Sequence, residues 1–81
     1  MFSMVRCPCC RNRTIEERNN NEICRVCFWQ DDGQDDQDQD DVRGGPNGLL
    51  SLKQARLNYA KYGASDPKLM KLVRSPTDAE R

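Results

Sequence analysis

This sequence predicts a small α+β fold: a zinc-knuckle β-hairpin packed on one main C-terminal helix, followed by a short second helix. Three observations predict it. Residues 5–30 hold two C-x2-C pairs, residues 52–62 carry helical spacing with marked ends, and 81 residues are too few for a core without a staple. Hydrophobic residues make up 36% of the chain, aromatics 6% and charged residues 32%. Five cysteines are the evident staple. A large enzyme core and a multi-domain assembly are excluded. The longest apolar stretch, Val26–Trp29, falls far short of the roughly 18 residues a membrane-spanning helix needs.

The elements follow in chain order, within one domain over residues 1–81. In the knuckle, residues 5–30, the β-compatible stretches Thr14–Glu17 and Glu22–Cys24 are expected to pair. The polar run Arg18–Asn21 forms their turn, because asparagine tolerates left-handed backbone angles. Residues 31–43 begin with an acidic run, Asp31–Asp41, made only of Asp, Gln and Gly. Such a run buries no apolar surface and is expected to be solvated and mobile. Residues 44–74 open on the turn cluster Gly44–Gly48 and continue into a helix over Leu52–Tyr62. Ser51 is its N-cap, Gln54 completes a capping box, Leu50 staples onto Ala55, and Gly63 supplies the left-handed stop. Leu52, Ala55, Tyr59 and Tyr62 form its apolar face. Asp66-Pro67 opens a second helix to about Arg74, with Leu69, Leu72 and Val73 inward. Ser75-Pro76 ends it, and residues 75–81 form a frayed tail.

The strongest chemical signal is Cys7-Pro8-Cys9-Cys10 followed by Cys24-Arg25-Val26-Cys27. Zinc favours four soft ligands in a tetrahedron, and a C-x2-C turn brings two sulfurs to one side with backbone amides aimed at them. Cys7, Cys10, Cys24 and Cys27 are therefore expected to hold one structural Zn2+. Four protein ligands leave no open position for water or substrate, and the binding energy becomes folding energy. Iron fits the same sulfur tetrahedron. Disulfides would leave one of the five thiols unpaired, and the thirteen-residue spacer is too short for the βαβ context of a redox C-x2-C motif. Arg6, Arg11, Arg13 and Arg25 stand ready to offset the cluster's negative charge. Cys9 is left as a covered spectator.

These blocks carry a resemblance. Cys7-Pro8-Cys9-Cys10, Ile23-Cys24, Val26-Cys27-Phe28-Trp29, Asp31-Asp32-Gly33, Gly44–Gly48, Ser51-Leu52, Ala55-Arg56, Asn58-Tyr59 and Gly63-Ala64-Ser65 occur in the order of the bacterial cysteine-rich CPCC family, which the chain resembles. The resemblance implies zinc binding and, because some small members lie among toxin–immunity genes, an immunity context. The chain departs from the family pattern at Arg11, where glycine is usual, at Arg25, where proline is common, and at Gln30, where an acid is usual.

Charge and composition bound the function. There is no histidine, which removes the commonest general base at neutral pH, so a non-catalytic protein is expected. The start Met1–Arg6 has no basic region followed by an apolar stretch, so a cytoplasmic protein with reduced thiols is expected. Net charge is zero, yet residues 1–30 carry five Arg against three Glu, residues 31–41 seven Asp and no base, and residues 42–81 eight bases against three acids. The expected partner is a cationic protein, such as a nuclease toxin domain, blocked in a 1:1 complex by a monomer acting as an immunity protein. Trp29 would anchor it, while Asp31, Asp32, Asp35, Asp36, Asp38, Asp40 and Asp41 would steer and contact it. Packing of Phe28 and Trp29 beneath the knuckle is the plainer role for the aromatics. The alternative function is a nucleic-acid-binding zinc ribbon using Arg6, Arg11, Arg13, Arg18 and Arg25, against which the adjacent aspartates stand. A thiol sensor using Cys9 is a third class.

Overall fold

A computed structural model describes residues 4–81. It shows an α+β architecture with a two-stranded antiparallel sheet, β1 (Val5–Arg6) and β2 (Arg13–Ile15), and one helix, α1 (Leu52–Tyr62). Single 3-10 turns lie at Asp36–Asp38 and Pro67–Leu69. The core is built around the cysteines, with Ile15, Val26, Trp29, Leu52 and Ala55 fully buried among them.

The hairpin is not the one the sequence suggested. Thr14–Glu17 does not pair with Glu22–Cys24; β1 and β2 instead close around the first cysteine pair, with Arg6 opposite Arg13 and Val5 opposite Ile15. A bridge between Ile23 and Gln30 closes the second cysteine pair in the same way. Each C-x2-C turn thus has its own short pairing. Between them, the Glu22 carboxylate accepts from the Glu16 and Glu17 amides at 3.0 and 2.8 Å, replacing a backbone ladder with a side chain. Asn19 and Asn21 do take left-handed angles, with φ of 60° and 55°.

The helix forms over the expected residues because both ends are capped. The Ser51 hydroxyl accepts from the Gln54 amide at 3.1 Å, and Gly63 takes φ 75° while donating to the Tyr59 carbonyl. The capping box is only half made, since the Gln54 side chain donates to Asn58 Oδ1 instead. Its buried face is Leu52, Ala55 and Asn58, whereas Tyr62 is exposed. Asn58 is buried because its Nδ2 donates to the Ser65 carbonyl at 2.8 Å, and the Ser65 amide donates to the Cys27 carbonyl at 2.7 Å. The second helix shrinks to one 3-10 turn. Leu72 is 58% exposed, so this segment lacks the buried stripe that would sustain further turns. The tail also departs from a frayed end: Glu80 pairs with Arg74, and its carbonyl accepts from the Arg13 amide of β2.

The largest departure is the acidic run. Asp31 and Gln34 are fully buried, against the expectation of a solvated segment. Arg18 explains it. Its guanidinium donates to Asp31 Oδ2 at 2.8 Å, Asp35 Oδ2 at 2.7 Å and the Gln34 carbonyl at 2.8 Å. Asp31 Oδ1 accepts from the Gly33 amide and Oδ2 from the Asn19 amide as well, so the buried carboxylate is fully hydrogen-bonded. Gln34 Nε2 gathers the loop by donating to the Asp38 and Asp41 carbonyls. Gly33 takes φ 91°, a backbone conformation that side chains disfavour, and a Cβ there would also displace the Asn19 side-chain tip, 2.6 Å away. The Arg18 bond holds the Asp35 carboxyl below its ordinary range against the opposing effect of burial, and Arg56 and Arg11 do the same for Asp36. These pairs contribute above the ordinary carboxylate value of about 3.9 and are lost as pH falls through the lowered ones.

Replacing Arg18 with alanine leaves the Asp31 charge buried without its cation. Arg18→Ala is expected to destabilise the metal-loaded chain by about 2–4 kcal/mol, allowing for the partial exposure of the guanidinium. Urea unfolding measures the loss.

Candidate metal centre

Both cysteine turns adopt the same backbone geometry. The Arg11 amide donates to the Cys7 carbonyl at 2.9 Å and the Phe28 amide to the Cys24 carbonyl at 2.8 Å. The Cys7 amide donates to the Asn12 carbonyl at 2.8 Å and the Cys24 amide to the Trp29 carbonyl at 2.9 Å. The residue after each second cysteine is left-handed, with φ 69° at Arg11 and 68° at Phe28. Neither is glycine, so each turn carries a backbone conformation that a side chain disfavours. The arginine at the usual glycine position therefore leaves the turn in place and adds strain to it.

The two turns bring Cys7, Cys10, Cys24 and Cys27 together with all four sulfurs within 4.8 Å of one another. Cys7 and Cys27 lie 3.6 Å apart, as do Cys10 and Cys24. A tetrahedron with metal–sulfur bonds of about 2.3 Å has edges of about 3.8 Å, so the set fits one ion. The donors suit zinc, and all four positions belong to the protein. Cys7, Cys24 and Cys27 are fully buried and Cys10 is 9% exposed. Cys9 is buried yet stands outside the four-sulfur group.

Two donors favour thiolate at Cys24. The Cys27 amide donates to Cys24 Sγ at 3.5 Å, and the Thr14 hydroxyl lies 2.9 Å from the same sulfur. Thr14 is the extra residue opposite Val5 and Arg6, a bulge in β2. With protons in place of a metal, the bond to Cys10 draws the Cys24 thiol far down, helped by Cys27, Cys7 and Thr14. Bonds to Cys10 and Cys24 push Cys27 far up. Nothing in the sequence marked Thr14 for this role, since a bulge depends on strand register.

Helix α1 holds both turns. Arg56 Nε donates to the Pro8 carbonyl at 2.8 Å inside the first turn, and its Nη2 lies 2.8 Å from Asp36 Oδ1. Arg11 meets the same aspartate at 2.9 Å. Asn58 reaches the second turn through Ser65, as described above.

The expected contact residues have different placements. Trp29 is fully buried and belongs to the core, so it is not an exposed anchor. Asp31 is enclosed and Asp35 is shared by Arg18 and Arg56. Asp38 pairs with Arg43, and Asp40 lies 3.7 Å from Lys53. Asp36 and Asp40 keep most of their side-chain surface, at 66% and 77%, and Asp41 is exposed while Asp32 is half-buried. Of the five N-terminal arginines, Arg11 and Arg18 are paired with these aspartates, and Arg6 donates to the Arg11 and Arg81 carbonyls. No helix of the described residues is long and apolar enough to cross a membrane.

The family model described as Cysteine-rich CPCC matches residues 5–80. No curated protein and no solved structure gives a match.

Serine at Cys7, Cys10, Cys24 or Cys27 is expected to abolish stoichiometric metal binding and the folded state with it, whereas Cys9→Ser keeps one metal per chain; elemental analysis with circular dichroism distinguishes them. At the left-handed turn, Arg11→Gly is expected to exceed Arg11→Ala in stability by about 1 kcal/mol, because both remove the Asp36 pair and only glycine relieves the backbone. Thermal unfolding of the two metal-loaded variants measures that difference.

Proposed function

The chain belongs to the cysteine-rich CPCC family, and from that premise we propose that it is a non-catalytic, cytoplasmic protein-binding module built on a structural four-cysteine zinc site. The observation that carries this reading is the closed, buried sulfur tetrahedron, in which protein ligands take every position. Zn2+ bound there by Cys7, Cys10, Cys24 and Cys27 supplies folding energy and leaves no position for Lewis-acid chemistry on a substrate. The residues themselves fix the two turns, keep water from the sulfurs and present the outer surface.

The partner in this reading is a basic protein, bound 1:1 by a monomer in the manner of an immunity protein. Support comes from the exposed carboxylates of Asp36, Asp40 and Asp41, which can draw a cationic surface even though most of the run is matched internally. The immunity role follows from the gene context implied by the family resemblance. Nucleic-acid binding draws less support. Arg6, Arg11 and Arg18 are engaged within the chain, leaving Arg13 and Arg25 of the five arginines that alternative requires.

Native mass spectrometry of the untagged protein from its host is expected to show one zinc per chain and a 1:1 complex with a protein of basic isoelectric point. Co-purifying nucleic acid, with affinity falling steeply as salt rises, would replace this reading with the zinc-ribbon alternative.

A further inference from the structure

The second cysteine turn supplies half of the metal ligands and also borders a groove. Ile23 and Phe28 flank the ligands Cys24 and Cys27, and together with Leu50 and Leu69 they line an open groove of about 350 Å³. Its far wall is the Pro46–Gly48 turn, held by Asn47, whose side chain donates to the Gln30 carbonyl at 2.7 Å and accepts from the Gln30 amide at 3.0 Å. The floor is tied to the same turn through the Ser65 amide on the Cys27 carbonyl. The groove is therefore preformed by the backbone that holds the metal, which lowers the ordering cost of binding.

Its surface is apolar and still open. Ile23 is 46% exposed although it sits beside a fully buried ligand, and Leu49, next in sequence to Leu50, is 90% exposed. Ile23 thus carries the apolar lining of the groove out to its open rim, and contiguous apolar surface of that kind marks contact sites. The charge the groove offers is negative. Among the described residues, Asp66 is the one charged residue of its lining. Beyond Ile23 a second recess holds Glu16, Glu22 and Glu80, with Arg25 as its one base. Glu80 is matched by Arg74, whereas among the described residues no basic side chain lies within ion-pair distance of Glu16, Glu22 or Asp66.

We propose that this groove, rather than Trp29 and the aspartate run, is the docking site for a cationic protein segment that presents one bulky apolar side chain between basic residues. The inference rests on the cationic-partner reading above and places its contact surface. The apolar side chain enters between Ile23, Phe28, Leu50 and Leu69. Flanking lysines or arginines reach Asp66 in the groove and Glu16 and Glu22 in the recess beyond Ile23, which favours a cationic segment and disfavours an acidic competitor.

The test is amide chemical-shift mapping of the zinc-loaded full chain with three capped pentapeptides: Lys-Lys-Phe-Lys-Lys, Lys-Lys-Gly-Lys-Lys and Glu-Glu-Phe-Glu-Glu. Saturable shifts at Ile23, Phe28, Gly48 and Leu69 are expected with the first alone. Ile23→Ser and Leu69→Ser, each checked for full zinc content, are expected to weaken it at least about fivefold. If both lysine peptides instead shift Asp36, Asp40 and Asp41 and spare the groove, this site is overturned while the cationic-partner reading stands. Equal binding of the glutamate peptide in the groove overturns both. No shift with any peptide overturns the groove.

Discussion

Four sulfurs must converge on one point, and the rest of the molecule is arranged around that requirement. The convergence comes from two backbone turns of the same shape, each closed by a bond from the residue after its second cysteine to the carbonyl of its first. A chain this small has little apolar area with which to offset the entropy of ordering 81 residues. A metal held by the four sulfurs would fill the gap, because a binding energy available only to the folded chain stabilises that fold directly. The local cost of left-handed backbone at Arg11 and Phe28, about 1–2 kcal/mol each, would be small beside such a structural metal site. Ile15, Val26, Trp29, Leu52 and Ala55 then pack against the sulfurs as the wall of a centre whose position is already fixed.

Around that centre, charge has a structural role that composition conceals. The aspartates lie in one unbroken segment, while the bases that answer them come from Arg11, Arg18, Arg43, Lys53 and Arg56. Arg18 and Arg56 matter most, since each joins the acidic loop to another part of the chain: Arg18 to the spacer between the knuckles, Arg56 to the Pro8 carbonyl from α1. The exposed pairs contribute little individually, because solvent screens them. The buried Asp31 carboxylate differs, because removing its hydrogen bonds would strand a charge in the core. An acidic run that looks like a free polyanion is thereby largely folded onto its own cations.

This division leaves little of the acidic run free for contact. With Trp29 inside and much of the acidic run neutralised, the open apolar surface beside the second knuckle is the part of the molecule not committed to holding itself together. Scaffold and contact share a backbone there, so metal binding and the shape of the groove are linked. In the proposed reading, a closed metal site would act on recognition by fixing geometry, with no chemistry at the ion.

The sequence by itself determined which four cysteines converge, the helix and the fold class. Those features are local: a C-x2-C turn, the serine cap at Ser51 and the glycine stop at Gly63 are each decided within a few residues, where spacing and backbone preference are enough. Membership of the family was legible for a related reason, since its blocks surround those same local features. Only the tertiary structure decided which strands pair, that Thr14 bulges toward Cys24, that Asn58 and not Tyr62 is buried, and that the aspartate run closes on Arg18. Each of these depends on a partner distant in the chain. Asp31 meets Arg18 across 13 residues, and Arg56 meets Pro8 across 48. A carboxylate reads as solvated until a guanidinium is placed beside it in a site that excludes water, and that placement is set by the packing of the whole chain.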